Sequence, residues 1–159
     1  MMLTDSRPKL IDAEIFEDDR GFMSVYFEGS SFIAKIIKMT SSKYGVLRGF
    51  HYQLPPTAQD KIILVLEGAI QDVCMEMAGN QPTGMVVDNS IGDGAKCRAL
   101  FVPNNWAHSY LTLSESSKVL YLCNEGYGNE ISLNPIENYK GWKLGEADML
   151  ISRKDLNNG

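Results

Sequence analysis

The sequence predicts a single all-β domain, folded as a jelly-roll barrel with few short helices. Three observations support this prediction: a long run of strand-forming residues over 61–77, short strands about ten residues apart between 99 and 123, and almost no helical periodicity. Regularly spaced short strands with turns between them are typical of β-sandwiches and barrels. The chain has 159 residues, which fits one domain with a substantial core, and no linker or repeat divides 1–159.

The central strands are assigned from residue type. Leu47–Gln53 is predicted to be a strand, and Lys61–Leu66 is an apolar run rich in branched residues. Glu67 and Gly68 then turn the chain into a segment of alternating character, Ala69–Met77. This pattern predicts a β-hairpin with Gly68 at the tight position.

Turns and short strands fill the rest of the predicted barrel. Clusters of turn-forming residues lie at 78–84 and 91–94. The later strands are predicted at Ala99–Pro103, Ser109–Leu113 and Lys118–Cys123. A helix of one or two turns is predicted near Ser30–Lys35, and little helix elsewhere.

Composition and charge exclude several classes of protein. Hydrophobic residues make up 44% of the chain and charged residues 22%, as in ordinary soluble globular proteins. A net charge of −5 argues against nucleic acid as a partner, but does not exclude a local cationic pocket for a small phosphate ligand. Candidates to line such a pocket are Arg20, Arg48, Lys61 and Lys154.

The sequence carries no recognisable signal for export or membrane insertion. Met1–Lys9 is polar and lacks the apolar core of a signal peptide, and no apolar run approaches the length of a membrane span. Cys74, Cys97 and Cys123 lie far apart without a CxxC motif, so a zinc ribbon or a redox dithiol is not indicated. We therefore expect a cytoplasmic protein with reduced cysteines that does not bind membranes.

Two distant segments contain residues suited to proton transfer. In Leu47–Gln53, His51 has an arginine and a glutamine as near neighbours, and Ile151–Asp155 ends in a carboxylate. A histidine that removes a proton from carbon needs a carboxylate behind it and cations around it. The two segments supply all three groups if the fold brings them together.

The mouth of the barrel is the natural place for a pocket, because inward-facing side chains line it. The polar residues in or beside predicted strands that could face it are His51, Gln53, Lys61, Asp72, His108 and Tyr121. For any one of them, an orientation towards solvent is equally compatible with the sequence. His51 and His108 are the only histidines and lie far apart, so their spacing indicates no metal site and favours proton transfer.

Eight fragments occur in the same order as in a known family. They are Asp18–Phe22, Leu47–Gln53, Ala58–Lys61, Gly68–Val73, Val102-Pro103 with Ala107-His108, Leu120-Tyr121, Tyr127 and Ser152–Asp155. On these motifs the chain resembles the dTDP-4-dehydrorhamnose 3,5-epimerase family, with a domain core from about residue 11 to residue 155. The resemblance implies a cupin-like jelly-roll barrel without metal or cofactor, usually a homodimer. It also implies a nucleotide-diphosphate 4-keto-6-deoxy sugar as the substrate.

The resemblance implies roles for the central polar residues. His51 would be the base that removes a proton next to the C4 ketone, and Asp155 the carboxylate that orients it. Tyr121 matches the acid that returns a proton to the opposite face of the sugar, and Lys61 matches the donor to the C4 oxygen.

Further matched positions are expected to contact the substrate. Arg20 and Arg48 match contacts to the diphosphate and the sugar, for which arginine forks are suited, and Arg20 would reach the site of a neighbouring subunit. Tyr127 corresponds to a tyrosine that stacks on the nucleotide base. The remaining expected contacts are Gln53, His108, Glu130 and Lys154.

The sequence also departs from the family pattern. Val25 stands where the family has a glutamate near the nucleotide base, and 38–40 reads Lys-Met-Thr in place of the usual Asn-His-Ser. The stretch between residues 21 and 47 is shorter than in the family. Because these positions help to recognise thymidine in the family, a different nucleotide carrier is a plausible expectation.

Three functions remain open on the sequence alone. The first is a 3,5-epimerase that serves deoxysugar or surface-glycan synthesis. The second is a single-centre epimerase or a 3,4-ketoisomerase on the same barrel, although Tyr121 favours epimerisation. The third is a non-catalytic protein that binds sugar nucleotides, against which the combination of an acid and a base argues. Purely structural roles also remain open for single residues, such as a satisfied core histidine at His51 or a tail carboxylate at Asp155.

Overall fold

Short β-strands make up most of the chain in the computed structural model, which describes residues 6–26 and 32–157. The strands are β1 (Lys9–Ile11), β2 (Glu14–Asp18), β3 (Gly21–Val25), β4 (Ile36–Lys43), β5 (Val46–Gln53), β6 (Lys61–Glu67), β7 (Ala69–Ala78), β8 (Gln81–Gly92), β9 (Ala99–Val102), β10 (Trp106–Thr112), β11 (Ser116–Cys123), β12 (Glu130–Leu133) and β13 (Leu150–Ile151). The helices are α1 (Pro135–Asn138), α2 (Arg153–Asn157) and a 3-10 turn at Glu146–Asp148. None of the helices within these described ranges has the length and apolar character needed to span a lipid bilayer.

β2 and β3 form a two-stranded sheet of their own, and two larger sheets form the body of the fold. One has the strand order β1-β9-β6-β11-β4, and the other has the order β12-β5-β10-β7-β8, with β13 added in parallel to β5. From β4 to β11 the chain crosses to the other sheet at every connection except the β7–β8 hairpin. Eight strands that alternate in this way between two antiparallel sheets form a jelly roll. The predicted all-β jelly-roll fold is therefore confirmed.

The predicted hairpin at 61–77 is wrong, although both of its strands exist. β6 pairs with β9 and β11 in one sheet, whereas β7 pairs with β10 and β8 in the other. Gly68 has a φ of +80° and makes the sharp corner between the sheets, where an added Cβ would collide with the backbone oxygen of Ser116. A glycine corner reverses the chain direction, but the pairing of each strand is decided by distant strands.

The remaining predictions were confirmed in part. The strands expected at 47–53, 99–103, 109–113 and 118–123 correspond to β5, β9, β10 and β11. The turn predicted at 78–84 consists of residues 79 and 80 only, because β7 ends at Ala78 and β8 begins at Gln81. β8 then extends to Gly92 through a segment that is not predicted to be a strand.

The helix expected near Ser30–Lys35 is absent from 32–35, and residues 30 and 31 lie outside the described ranges. Helix α1 forms elsewhere, where the Asn134 side chain caps it by accepting from the N–H of Ile136 at 2.9 Å.

The core lies between the two sheets. Its fully buried apolar side chains include Ile63, Ile70, Ile91, Leu100, Val102, Trp106 and Val119. A second cluster, which includes Phe50, Tyr52 and Met75, covers the outer face of the β5–β10–β7 sheet beneath Tyr139 and Trp142. The apolar residues thus occupy most of the interior, and polar side chains gather at one end between β5, β10 and β11.

Candidate active site

A cavity of about 180 Å³ opens between the two sheets at this polar end. One wall belongs to the β6–β11–β4 sheet and carries Lys38, Thr40, Lys61 and Tyr121. The opposite wall belongs to the β12–β5–β10 sheet and carries Arg48, Gly49, His51, His108, Ser109, Tyr110 and Glu130. Ionisable groups therefore face one another across a confined space.

The two segments that the sequence singled out meet at this cavity. Nε2 of His51 lies 2.8 Å from Oδ1 of Asp155, and the carboxylate is buried while the imidazole remains partly exposed. An N–H at Nε2 that donates to an ionised carboxylate leaves Nδ1 as the proton acceptor. The pair therefore has the geometry of an oriented general base.

The carboxylate of Asp155 is fixed by several further donors. The hydroxyl of Ser132 donates to Oδ1 at 3.1 Å, while the Ser152 hydroxyl and the Gly49 N–H donate to Oδ2 at 2.9 and 3.2 Å. Burial alone would raise the pKa of Asp155, but the hydrogen bond and charge of His51, assisted by these donors, hold the pKa well below its usual range. The group therefore stays ionised and able to stabilise an imidazolium.

Gly49 makes this approach possible. A Cβ at position 49 would lie 2.9 Å from the carboxyl carbon of Asp155, closer than a real side chain tolerates. The register of β5 against β10 also shifts here, because His51 faces His108 while Arg48 faces Tyr110. The irregularity lets Arg48 and His51, which strict alternation would put on opposite faces, both line the cavity.

A second histidine–carboxylate pair lies deeper in the wall. Nε2 of His108 is 2.6 Å from Oδ2 of Asp72, and both side chains are buried. The thiol of Cys74 donates to the other oxygen of Asp72 at 3.4 Å. The sequence analysis placed His108 and Asp72 near the pocket but missed their pairing, for which the only signal was that a buried carboxylate needs a partner.

These two pairs do not combine into a larger cluster. Across residues 6–26 and 32–157, no three or more His, Cys, Asp or Glu side chains come close enough together to hold a metal ion.

Lys61 and Tyr121 lie on the wall opposite Arg48. The ammonium of Lys61 donates to the backbone oxygen of His51 at 3.0 Å, and burial lowers its pKa to about 8, with the nearby charge of Lys38 acting in the same direction. The Tyr121 phenol is buried, and its ring lies edge-on to the imidazole of His108, with 5.8 Å between the two ring centres. Burial, followed by the nearby Tyr110 and Asp72, raises the pKa of Tyr121 well above its ordinary value, so the phenol holds its proton.

Tyr110 and its neighbours form a polar cluster that the sequence analysis missed. The Tyr110 hydroxyl lies 2.8 Å from the hydroxyl of Thr40 and 3.0 Å from that of Ser42, and the Nε–H of Arg48 donates to it at 3.0 Å. This network fixes the guanidinium at the cavity wall. The resemblance gave no indication of this cluster, because Thr40 lies in a segment that departs from the family pattern. The only signal in the sequence was that Thr40 and Ser42, two residues apart, would share one face of a strand.

Of the other predicted contact residues, Glu130 lines the cavity, whereas Gln53, Tyr127 and Lys154 do not. Glu130 lines the cavity and binds Lys154 at 3.2 Å. Gln53 lies outside the cavity wall, and its amide donates to the backbone oxygens of Thr57 and Gly126 at 2.5 and 3.0 Å. Tyr127 is 68% exposed.

Arg20 is also remote from the cavity of its own chain. It lies in the turn between β2 and β3, where it pairs with Asp18, and its side chain is 89% exposed. Neither Arg20 nor Tyr127 is brought to the cavity by the described residues of this chain.

Comparison with known proteins is consistent with this geometry. Residues 7–158 match the model of a family described as dTDP-4-dehydrorhamnose 3,5-epimerase. The chain is 32% identical to an enzyme of that name from Neisseria gonorrhoeae over 93% of its own length, and it spans 48% of the length of that relative.

Solved structures give the same result. A dTDP-4-dehydrorhamnose 3,5-epimerase from Elizabethkingia anophelis superposes with a TM-score of 0.85 at 30% identity, covering 96% of this chain and 90% of that one. A dTDP-6-deoxy-D-glucose-3,5-epimerase from Legionella pneumophila, in complex with dTDP-4-keto-L-rhamnose, superposes with a TM-score of 0.80 at 28% identity, covering 96% and 86% of the two chains. With its cupin-like jelly roll and a family match over nearly its whole length, the chain belongs to the dTDP-4-dehydrorhamnose 3,5-epimerase family.

Proposed function

We propose that this protein is an epimerase of a nucleotide-linked 4-keto-6-deoxy sugar, and that it inverts C3, C5 or both. One observation carries the proposal: a histidine paired with a carboxylate, suited to act as a base, and a protonated tyrosine, suited to act as an acid, lie on opposite walls of one cavity. His51 comes from β5 and Tyr121 comes from β11, which belong to facing sheets. Inversion at carbon requires proton removal from one face and proton delivery to the other, and a site that only binds a ligand has no need of both groups.

The first chemical step is removal of a proton next to the ketone. The C4 carbonyl acidifies the C–H bonds at C3 and C5, because the electron pair left on carbon is delocalised onto the carbonyl oxygen as an enolate. Nδ1 of His51 takes the proton, and the ionised Asp155, 2.8 Å from Nε2, stabilises the imidazolium that results. The carboxylate also holds the ring in one tautomer and orientation.

Lys61 supports the enolate. One N–H of its ammonium is bonded to the backbone oxygen of His51, and its position in the cavity wall leaves the remaining N–H groups to donate to the C4 oxygen as negative charge develops there. A fixed donor in a confined site stabilises such charge more strongly than water does.

Tyr121 completes the inversion. Its phenol donates a proton to the carbanionic carbon from the face opposite His51, which restores the ketone and leaves a phenolate. The imidazolium and the phenolate then return to their starting states by proton exchange with solvent. No redox change occurs and no cofactor is consumed in this sequence.

The pKa of Lys61 predicts an alkaline limit to activity. Because that pKa is lowered to about 8, the ammonium loses its proton as the pH rises through this value, well below the ordinary pKa of a lysine. We expect kcat/KM, which reports on the free enzyme, to fall above about pH 8. The Lys61→Met variant should retain only a small residual rate without this fall, and an identical alkaline limit in both proteins would assign the limit to another group.

The proposed function is tested directly by finding which nucleotide carrier the protein accepts and which sugar configuration it produces. The protein is incubated with 4-keto-6-deoxy sugars linked to dTDP, GDP, CDP and UDP, and the sugar configuration is read by NMR after reduction. An inverted product from at least one carrier is expected. Unchanged configuration with all carriers, together with measurable binding, would favour a sugar-nucleotide-binding protein instead.

We further propose that the active form is a homodimer. Apolar side chains are exposed on the outer face of β4 and on the β2–β3 hairpin, including Ile37 at 66% and Phe22 at 71% exposure. A second copy of the chain would cover them, and the hairpin would then carry Arg20 to the diphosphate at the neighbouring cavity. This proposal accounts for an arginine that matches a ligand-contact position and yet lies remote from its own cavity.

Hybrid dimers test whether Arg20 acts on the neighbouring site. Arg20→Ala and His51→Asn, each poorly active alone at low substrate concentration, are co-expressed with different affinity tags and the hybrid is isolated. If Arg20 acts across the interface, one site of the hybrid contains both His51 and Arg20, and its activity should recover to about half that of the wild-type dimer. If the hybrid stays as inactive as its parents, Arg20 does not serve the neighbouring cavity.

A further inference from the structure

Lys38 adds a cation to the cavity beside the proposed acid. In the antiparallel pairing of β4 with β11, Lys38 lies directly opposite Tyr121, so both side chains extend from the same face of the sheet. The ammonium nitrogen of Lys38 lies 5.4 Å from the centre of the Tyr121 ring. This distance is within the range of a cation–π interaction.

No carboxylate in residues 6–26 and 32–157 pairs with this ammonium. Two lysines elsewhere in this part of the chain do have such partners: Lys35 pairs with Glu125 at 2.7 Å and Lys118 with Glu67 at 2.6 Å. Lys38 lines the cavity, so its charge acts on what the cavity contains.

The group that gains most from this charge is the phenol of Tyr121. Its buried surroundings include the carboxylate of Asp72 and the hydroxyl of Tyr110, which oppose a negative charge on the ring. Arg48 favours such a charge, and its Nε–H is shared between the hydroxyls of Tyr110 and Ser42. Delivery of the phenolic proton to carbon creates an anion in these surroundings, and a second cation beside the ring stabilises it further.

We propose that Lys38 is a positioning residue for Tyr121: its ammonium holds the phenol at the cavity wall and stabilises the phenolate that forms when the proton passes to carbon. This inference rests on the proposed epimerase function. Lys38 acts through Tyr121 and has no part in removing the first proton, which His51 takes on the opposite wall. Its charge also opposes the protonated state of Lys61, so removing Lys38 should not weaken the donor to the C4 oxygen.

The test separates the two halves of the reaction. Wild type, Lys38→Met and Lys38→Arg are compared in D₂O, following deuterium uptake at carbon and inversion in the same samples. The probe is 4-keto-6-deoxyglucose linked to dTDP, GDP, CDP or UDP, and the variants are compared on the carrier that the wild type accepts. Lys140→Met is the matched control, because Lys140 is an exposed lysine that lies outside both the cavity and the proposed dimer interface. Circular dichroism and thermal unfolding check that each variant is folded, and Lys38→Gln replaces Lys38→Met if the latter does not fold.

Loss of the cation should slow inversion selectively. In Lys38→Met, kcat for inversion should fall by about tenfold or more, while deuterium uptake stays within about twofold of wild type and KM is unchanged. Lys38→Arg keeps a cation over the ring and should recover most of the inversion rate, and Lys140→Met should behave as wild type.

Other outcomes would overturn the inference. Wild-type inversion in Lys38→Met would remove Lys38 from the reaction, and a raised KM with unchanged kcat would make it a substrate contact. An equal fall in uptake and inversion would place its action before the acid step. If wild type itself shows neither uptake nor inversion with the probe on any of the four carriers, the proposed function fails, and the inference fails with it.

Discussion

Replacing His51 with asparagine is expected to abolish both deuterium uptake and inversion, with a loss of at least about 10²–10⁴-fold. Asparagine keeps a polar group near the Nδ1 end of the ring but does not reach Asp155 as Nε2 of His51 does, and it cannot take a proton from carbon. The cavity wall and its cations remain, so binding of the sugar nucleotide should be nearly unchanged. The measurement is deuterium uptake in D₂O, with affinity determined separately by titration calorimetry.

Asp155→Asn is the companion to this variant. It leaves His51 in the cavity but removes the carboxylate that stabilises the imidazolium, so the rate should fall while a residual rate remains. Undiminished uptake in His51→Asn would remove His51 from the role of base. If His51→Asn lost binding affinity and rate equally, His51 would be a contact to the substrate and not the base.

Replacing Tyr121 with phenylalanine should uncouple exchange from inversion. The variant lacks the proton donor on the second face, but His51 and Asp155 still remove and return a proton on the first. We expect inversion to fall by about 10²-fold or more while deuterium continues to enter from the His51 face. NMR of the recovered sugar reports both quantities, since isotope content and configuration are read from the same signals.

Tyr44→Phe serves as the matched control, because this tyrosine is half exposed and lies outside the cavity. It should invert its substrate at the wild-type rate. Wild-type inversion in Tyr121→Phe would assign the acid to another group. Loss of uptake as well as inversion in Tyr121→Phe would place Tyr121 in the first step.

The pairing of His51 with Asp155 could be anticipated because both residues lie in motifs that resemble those of the family, and because a histidine that acts as a base needs a carboxylate behind it. Strand identity could also be read locally, as for β5 and β11, which are rich in branched and aromatic residues. The pairing between strands could not be read in this way. The chain turns at Gly68 as the sequence predicts, yet β6 and β7 join different sheets because their partners are distant in sequence.

The contact between His108 and Asp72 and the presence of Lys38 in the cavity were missed, because both depend on such distant pairing. His108 meets Asp72 because β10 lies beside β7 in a particular register, which no local pattern encodes. Lys38 enters the cavity because β4 lies beside β11.

Alternation along a strand predicts the direction of a side chain but not what covers it. Gln53 is two residues beyond His51 and so was expected in the pocket, but the loop at 126–128 takes up its amide.

Deuterium uptake by the wild-type protein tests the central claim most directly. The protein is incubated in D₂O with a 4-keto-6-deoxy sugar on its preferred carrier, and uptake at each ring carbon is followed by NMR. Our account predicts that deuterium enters at C3, at C5 or at both, with inversion at the same carbons, and that His51→Asn prevents this. A bound sugar whose C3 and C5 hydrogens both remain unexchanged would contradict it.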